Sequence, residues 1–116
     1  VAFRIPPSDD ANRRIEHRVS GAEANPYLVV AAVLAGVHHG LTEKLDPGAR
    51  YAGNAGAEVD PKLPLTIWQA LAALRRAEIL GDYLGADYLQ IYAAVKQAEF
   101  DAFMAAIHPR EYDWYL

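Results

Sequence analysis

Apolar and polar residues alternate from the start of the chain. In "VAFRIP", Val1, Phe3 and Ile5 share one face of an extended segment and Ala2 and Arg4 the other. Pro6 and Pro7 then stop the strand, because proline has no N–H for a ladder. "RRIEHRV" alternates again, with Ile15 and Val19 opposite Arg14, Glu16 and Arg18. The connector "PSDDAN" is made of turn-forming residues, so the two runs predict an antiparallel pair. Two strands alone are marginal in water, and the pair calls for more sheet than the chain supplies.

The period then changes. Asn25 is a favourable helix N-cap, and Pro26 suits the first helical position, where an N–H would be unpaired anyway. A helix is predicted over 26–44, apolar all round from 27 to 37 and therefore buried on most sides, with "DPG" at 46–48 closing it. Residues 46–64 are rich in Gly and Pro, have no period, and read as a long loop of the kind that is often functional or partner-bound. Thr66 and Gln69 have capping-box spacing for a helix over 67–80, with Ile67, Ala70, Leu71 and Leu74 inward. "GDYLG" at 81–85 breaks the chain. A longer helix over 86–106 follows, with Tyr88, Ile91, Tyr92, Val95 and Phe103 near one packed face, and "HPREYDWYL" is an aromatic tail that should pack on its own domain or a neighbouring subunit. The fold class is α+β, a short antiparallel strand pair followed by three main helices, in one domain over 1–116.

Composition narrows the setting. The 116 residues suffice for one small domain, and 53% apolar with 22% charged residues is the balance of a globular chain. A net charge of -4 with no basic stripe argues against nucleic acid as partner. Cysteine is absent, which excludes disulfides and cysteine zinc sites and points to the cytoplasm. The apolar run over 27–37 is too short to span a bilayer, and there is no signal-peptide pattern, so no membrane role is expected. The chain opens on a strand without an initiator Met, as a processed terminus or an internal cut in a longer protein would.

The charged strand carries the chemistry. Residues two apart on a strand project from the same face about 6–7 Å apart, so Arg14, Glu16 and Arg18 stand in a row that Arg4 could join from the neighbouring strand. Guanidinium groups present planar forks of donors that match phosphate or carboxylate, and a glutamate among them can hold Mg2+ together with substrate phosphate. The plainer reading is a solvated strand face with cross-strand ion pairs, each contributing little. A charged strand running straight into an all-apolar helix favours the inner wall of a site.

"FRIP" at 3–6, "RRIEHRVSGAEANPYL" at 13–28 and "AAVLAGVHHGLTEKLDPG" at 31–48 together resemble the C-terminal part of the glutamine synthetase catalytic domain. The resemblance is strongest over 3–48 and looser beyond. "HHG" and the ending "EYDWYL" are more similar to the branch that includes γ-glutamyl-polyamine synthetases. The family phosphorylates the side-chain carboxylate of glutamate with ATP and then lets ammonia or another amine displace phosphate. The resemblance implies catalytic roles for Arg4, Arg14 and Arg18: Arg4 and Arg14 on ATP phosphates, Arg18 on glutamate. Glu16 it implies as a ligand of the Mg2+ or Mn2+ that bridges the phosphates. It implies ATP, glutamate and ammonia or a small amine as partners, and a homo-oligomeric parent. The family's other metal carboxylates, its metal histidine and most of its glutamate pocket correspond to sequence upstream of Val1, so the chain is expected to be a fragment of such an enzyme and inactive by itself.

His17 falls on the face opposite Glu16 and matches no ligand of the family. His38 and His39 are adjacent on a helix and do not face each other, so they read as one half-buried and one exposed histidine and not as a metal pair. Gly53 and Gly56 lack the context of a phosphate loop. Arg75, Arg76 and Glu78 read as a solvated helix face, and Tyr88 with Tyr92 as core packing. Two further functions stay open: a non-catalytic helical packing or oligomerisation remnant whose bare strand edges self-associate, and a simple nucleotide-binding module.

Overall fold

The computed structural model describes residues 2–51, 53, 54, 56 and 60–115. The expected strand position of Val1, parts of the 46–64 loop and the last tail residue, Leu116, lie outside the described residues. The chain divides into two units, Val1–Leu63 and Pro64–Leu116.

In the first unit, β1 (Phe3–Arg4) and β2 (Glu16–His17) pair antiparallel, with Phe3 opposite His17 and Arg4 opposite Glu16. The ladder is shorter than the alternation suggests. One further bond, from Arg18 N–H to the Ala2 carbonyl at 2.9 Å, extends it at the end away from Pro6 and Pro7. Between the strands, Asp9 caps a 3-10 turn (Asp10–Asn12), its carboxylate accepting from the Asn12 amide at 2.9 Å.

Helix α1 (Pro26–Thr42) begins as its sequence requires: the Asn25 side-chain oxygen accepts from the Tyr27 and Leu28 N–H groups at 3.0 and 3.3 Å. It ends before "DPG". Lys44 adopts a left-handed conformation, φ 52°, and the Leu45 N–H reaches back to the Gly40 carbonyl at 2.9 Å while the Lys44 N–H faces that of Leu41 at 3.4 Å. This closure satisfies the last carbonyls without a glycine. The burial expected for α1 is not found. Only Ala35 is buried, and Tyr27, Val30, Leu34, Val37 and Leu41 are exposed. Within this unit, among the described residues, no other element packs on α1. A helix apolar on all sides needs further layers, and two two-residue strands do not provide them.

From Leu45 to the second unit the described residues form neither helix nor strand. Local side-chain turns replace them: Asp46 accepts from Gly48 N–H, Asn54 from Gly56 N–H and Asp60 from Lys62 N–H, each at 2.9–3.0 Å.

The second unit is helical: α2 (Ile67–Arg75), α3 (Glu78–Leu84), α4 (Ala86–Ala105) and α5 (Pro109–Tyr115). The capping box is formed, with Gln69 N–H donating to Thr66 Oγ1 and the Gln69 side chain accepting from the Thr66 N–H, both at 3.3 Å. The helix expected over 67–80 is broken at Arg76–Ala77, where neither glycine nor proline stands. Both segments, α2 and α3, pack on α4. Gln90 of α4 donates to the freed Arg75 carbonyl at 3.3 Å, and Trp68 meets Phe100 edge-to-face at 4.6 Å, so α2 and α4 run antiparallel. The core is Leu71, Leu89 and Ala93, the last fully buried. Ile67 lies at the margin of exposure.

Three expectations about this unit are corrected. The inner stripe of α4 is Leu89–Ala93–Phe100, while Tyr88, Ile91, Val95 and Phe103 face outward. Both sides of α4 are apolar enough to pack, and the seat of α2 and α3 decides between them. Tyr88 is therefore not a core residue. It stacks on Tyr92 at 6.2 Å, and Lys96 lies 5.7 Å over the Tyr92 ring. Packing of the aromatic tail on its own domain is not found among the described residues: the tail is helical and exposed, and it starts from His108, whose Nδ1 accepts from Arg110 N–H at 3.1 Å.

The two glycines of "GDYLG" have opposite duties. Gly81 lies inside α3, and a methyl group there would meet Ala86 at an ordinary 3.9 Å. Gly85 joins α3 to α4 at φ 92°, a conformation that side chains strain. Gly81→Ala should stabilise the protein by about 0.5–1 kcal/mol. Gly85→Ala should destabilise it by about 1–2 kcal/mol. Denaturant unfolding of both variants checks the sign; equal effects would refute the assigned boundary.

Candidate functional site

The antiparallel register decides which side chains meet. Residues directly opposite in a ladder project from the same face, so Arg4 stands across from Glu16. Period two places Arg14 and Arg18 beside it. All four side chains converge. Arg4 Nη1 donates to Glu16 Oε2 at 3.1 Å, Arg14 Nη2 to Glu16 Oε1 at 3.5 Å, and Arg18 Nε lies 3.7 Å from Oε2. Glu16 is the most covered of the four, with 27% of its side chain exposed. Neighbouring Arg13 does not join them; it pairs with Asp10.

Three cations around one anion leave an excess of two positive charges on this face. Each guanidinium has five N–H donors, and one carboxylate cannot occupy them all. The remaining donors suit an oxyanion, phosphate above all. The hydrogen bond from Arg4 is the largest cause holding the Glu16 carboxyl below the usual glutamate range; partial burial works against it, and the charges of Arg4, Arg14 and Arg18 add to the lowering. Both Glu16 oxygens face arginines. A single carboxylate is also what Mg2+ takes from a protein when phosphates supply other ligands. Among the described residues no group of three or more His, Cys, Asp or Glu is placed to hold a metal ion by itself.

The reverse face of the same ladder was the part that sequence reasoning left unassigned. The Phe3 and His17 rings lie 5.3 Å apart, tilted by 49°, and Ser20 Oγ is 3.3 Å from His17 Nδ1. The signal was present: once Arg4 opposes Glu16, alternation puts Phe3 opposite His17. Elsewhere, His38 is exposed and His39 half-buried, as expected, and Arg75, Arg76 and Glu78 are solvated. Gly56 sits in a turn closed by Asn54. Among the described residues, no helix is long and apolar enough to cross a membrane.

The carboxylate yields a pH test. A lowered folded-state pKa contributes stability that is present above the unfolded-state value and is lost as pH falls through the folded value. The cluster should therefore stay intact at neutral pH and through the ordinary glutamate range, and open only in stronger acid. Carbon-13 titration of the Glu16 carboxyl should show the low midpoint, and Arg4→Ala should move it back up. An unmoved midpoint would mean that Arg4 does not hold this carboxylate in solution.

Comparison with known proteins bears on what this face belongs to. Residues 1–115 match the family model described as "Glutamine synthetase, catalytic domain". The chain is 39% identical over 116 residues to the γ-glutamylputrescine synthetase PuuA of Escherichia coli, covering 100% of this chain and 25% of that protein. It is 32% identical over 126 residues to a glutamine synthetase of Aquifex aeolicus, covering 99% of this chain and 27% of the relative. A glutamate–isopropylamine ligase of a Pseudomonas species is 34% identical over 100 residues, covering 83% of this chain and 22% of its own. The chain spans about a quarter of the length of these curated relatives. With nearly every residue inside the match, the chain belongs to the glutamine synthetase catalytic-domain family.

Proposed function

We propose that the protein joins the side-chain carboxylate of glutamate to ammonia or a small amine in an ATP- and divalent-metal-dependent ligation, and that the β1–β2 face is part of its phosphate-facing wall. The observation that carries this reading is the convergence of Arg4, Arg14 and Arg18 on Glu16. Phosphoryl transfer asks a protein mainly for positioning and for positive charge around the transferring group. Arg4 and Arg14 would contact the ATP phosphates and Arg18 the substrate glutamate. Glu16, as one carboxylate beside phosphate oxygens, fits a single protein ligand for Mg2+ or Mn2+. A bound cation would neutralise phosphate charge. When nucleotide phosphates enter, they offer Arg4 and Arg14 new acceptors, which frees Glu16 oxygens from the ion pairs they now make.

The amine is the finer question. Relatives named for putrescine and isopropylamine, at 39% and 34% identity, stand beside a glutamine synthetase at 32%. The higher identity to the putrescine enzyme and the aromatic ending favour a larger amine over ammonia. Family resemblance supports a cytoplasmic homo-oligomer.

Glu16→Ala should lower metal-dependent phosphate release from ATP by about a hundredfold or more; near-normal turnover would remove the metal role. Arg18→Ala should raise KM for glutamate about tenfold or more, the value of a charge-assisted hydrogen bond, and an unchanged KM would remove that assignment. Phosphate release should require glutamate together with an amine. Run across ammonia, monoamines and diamines, the assay identifies the acceptor, and release with no pair would leave the family likeness as fold only.

A further inference from the structure

The β1–β2 ladder has two cross-strand side-chain pairs, one on each face. One is Arg4 with Glu16. The other is Phe3 with His17, ring against ring at 5.3 Å, with Ser20 Oγ 3.3 Å from His17 Nδ1. Backbone hydrogen bonds do not specify which residues pair, because every register offers the same N–H and C=O groups. Side chains do, and a slip of one residue exchanges the faces. In a slipped pair Arg4 would project away from Glu16. Arg14, Glu16 and Arg18 would not be separated, since they sit on one strand segment. The register therefore controls one thing above all: whether Arg4 belongs to the cluster. The ion pair alone is a weak guide, as its arginines are about half exposed and screened by water and salt. The half-buried His17 ring, seated on Phe3 and oriented by Ser20, is the feature that specifies pairing.

We infer that His17 is a positioning residue, which locks β1 in register from the back of the ladder and so delivers Arg4 to the phosphate-facing side. Its ring lies on the face of the ladder opposite Arg4 and Glu16. The inference about ATP rests on the function proposed above; the inference about register does not.

The two can be tested apart in the intact protein. Hydrogen–deuterium exchange should quicken over both 2–5 and 13–18 in His17→Ala and return towards wild type in His17→Phe, which keeps a ring against Phe3. In kinetics, His17→Ala should raise KM for MgATP about twofold to fivefold, the range of one cross-strand pair, and leave KM for glutamate unchanged. His17→Phe should restore it. Arg4→Ala should then have a smaller effect in the His17→Ala background than in wild type, because Arg4 is in place there less of the time. Unchanged exchange in His17→Ala, failure of His17→Phe to rescue, or independent multiplying effects of the two substitutions would each overturn the inference. If wild type shows no dependence on ATP, the proposed function fails, and the exchange comparison alone still decides the role of His17.

Discussion

Three guanidinium groups crowd one face of a very short ladder, and without a counter-charge they would drive each other apart. The Glu16 carboxylate prevents this. It takes Arg4 from across the ladder and Arg14 and Arg18 from its own strand, using both oxygens. Like charges so arranged need little rearrangement to meet an anion. Under the function proposed above, the carboxylate would be placeholder and participant at once: it stands where phosphate charge would come, and it would remain to share the site with a cation. None of this needs a deeply buried ion pair, whose desolvation would cost more than the contact returns.

What surrounds that face follows from how each element ends. Pro6 and Pro7 cut β1 short, and the capped turn at Asp9 brings the chain back for β2. Asn25 turns strand direction into helix direction within a few residues of Arg18. In the second unit, α4 is the common support for α2 and α3, and Ala93 of α4 is fully buried.

The legible parts of the sequence were those governed by neighbours in the chain. Period two placed Arg14, Glu16 and Arg18 on one face; the Asn25 cap, the Pro26 start and the Thr66–Gln69 box each depend on atoms a few residues apart, and all are present. The misreadings involve distant partners. The stop at Arg75 is sealed by Gln90, fifteen residues on, and no glycine or proline advertised it. The packed side of α4 was chosen among two apolar sides by helices that the pattern of α4 does not know about. The exposure of α1 could not be read from its composition, since an all-apolar run states what a helix would bury and not what is there to bury it. For the candidate site, alternation revealed three members and left Arg4 conditional, because a strand pattern carries no register. The Phe3–His17 contact supplies it.

The Arg4–Glu16 bridge spans only twelve positions of sequence. A connection that short costs little entropy to close, and the ladder already holds both of its ends, so Arg4 can leave Glu16 by side-chain rotation alone. In the ligation proposed above, an arriving phosphate would meet an arginine whose release needs no movement of the backbone.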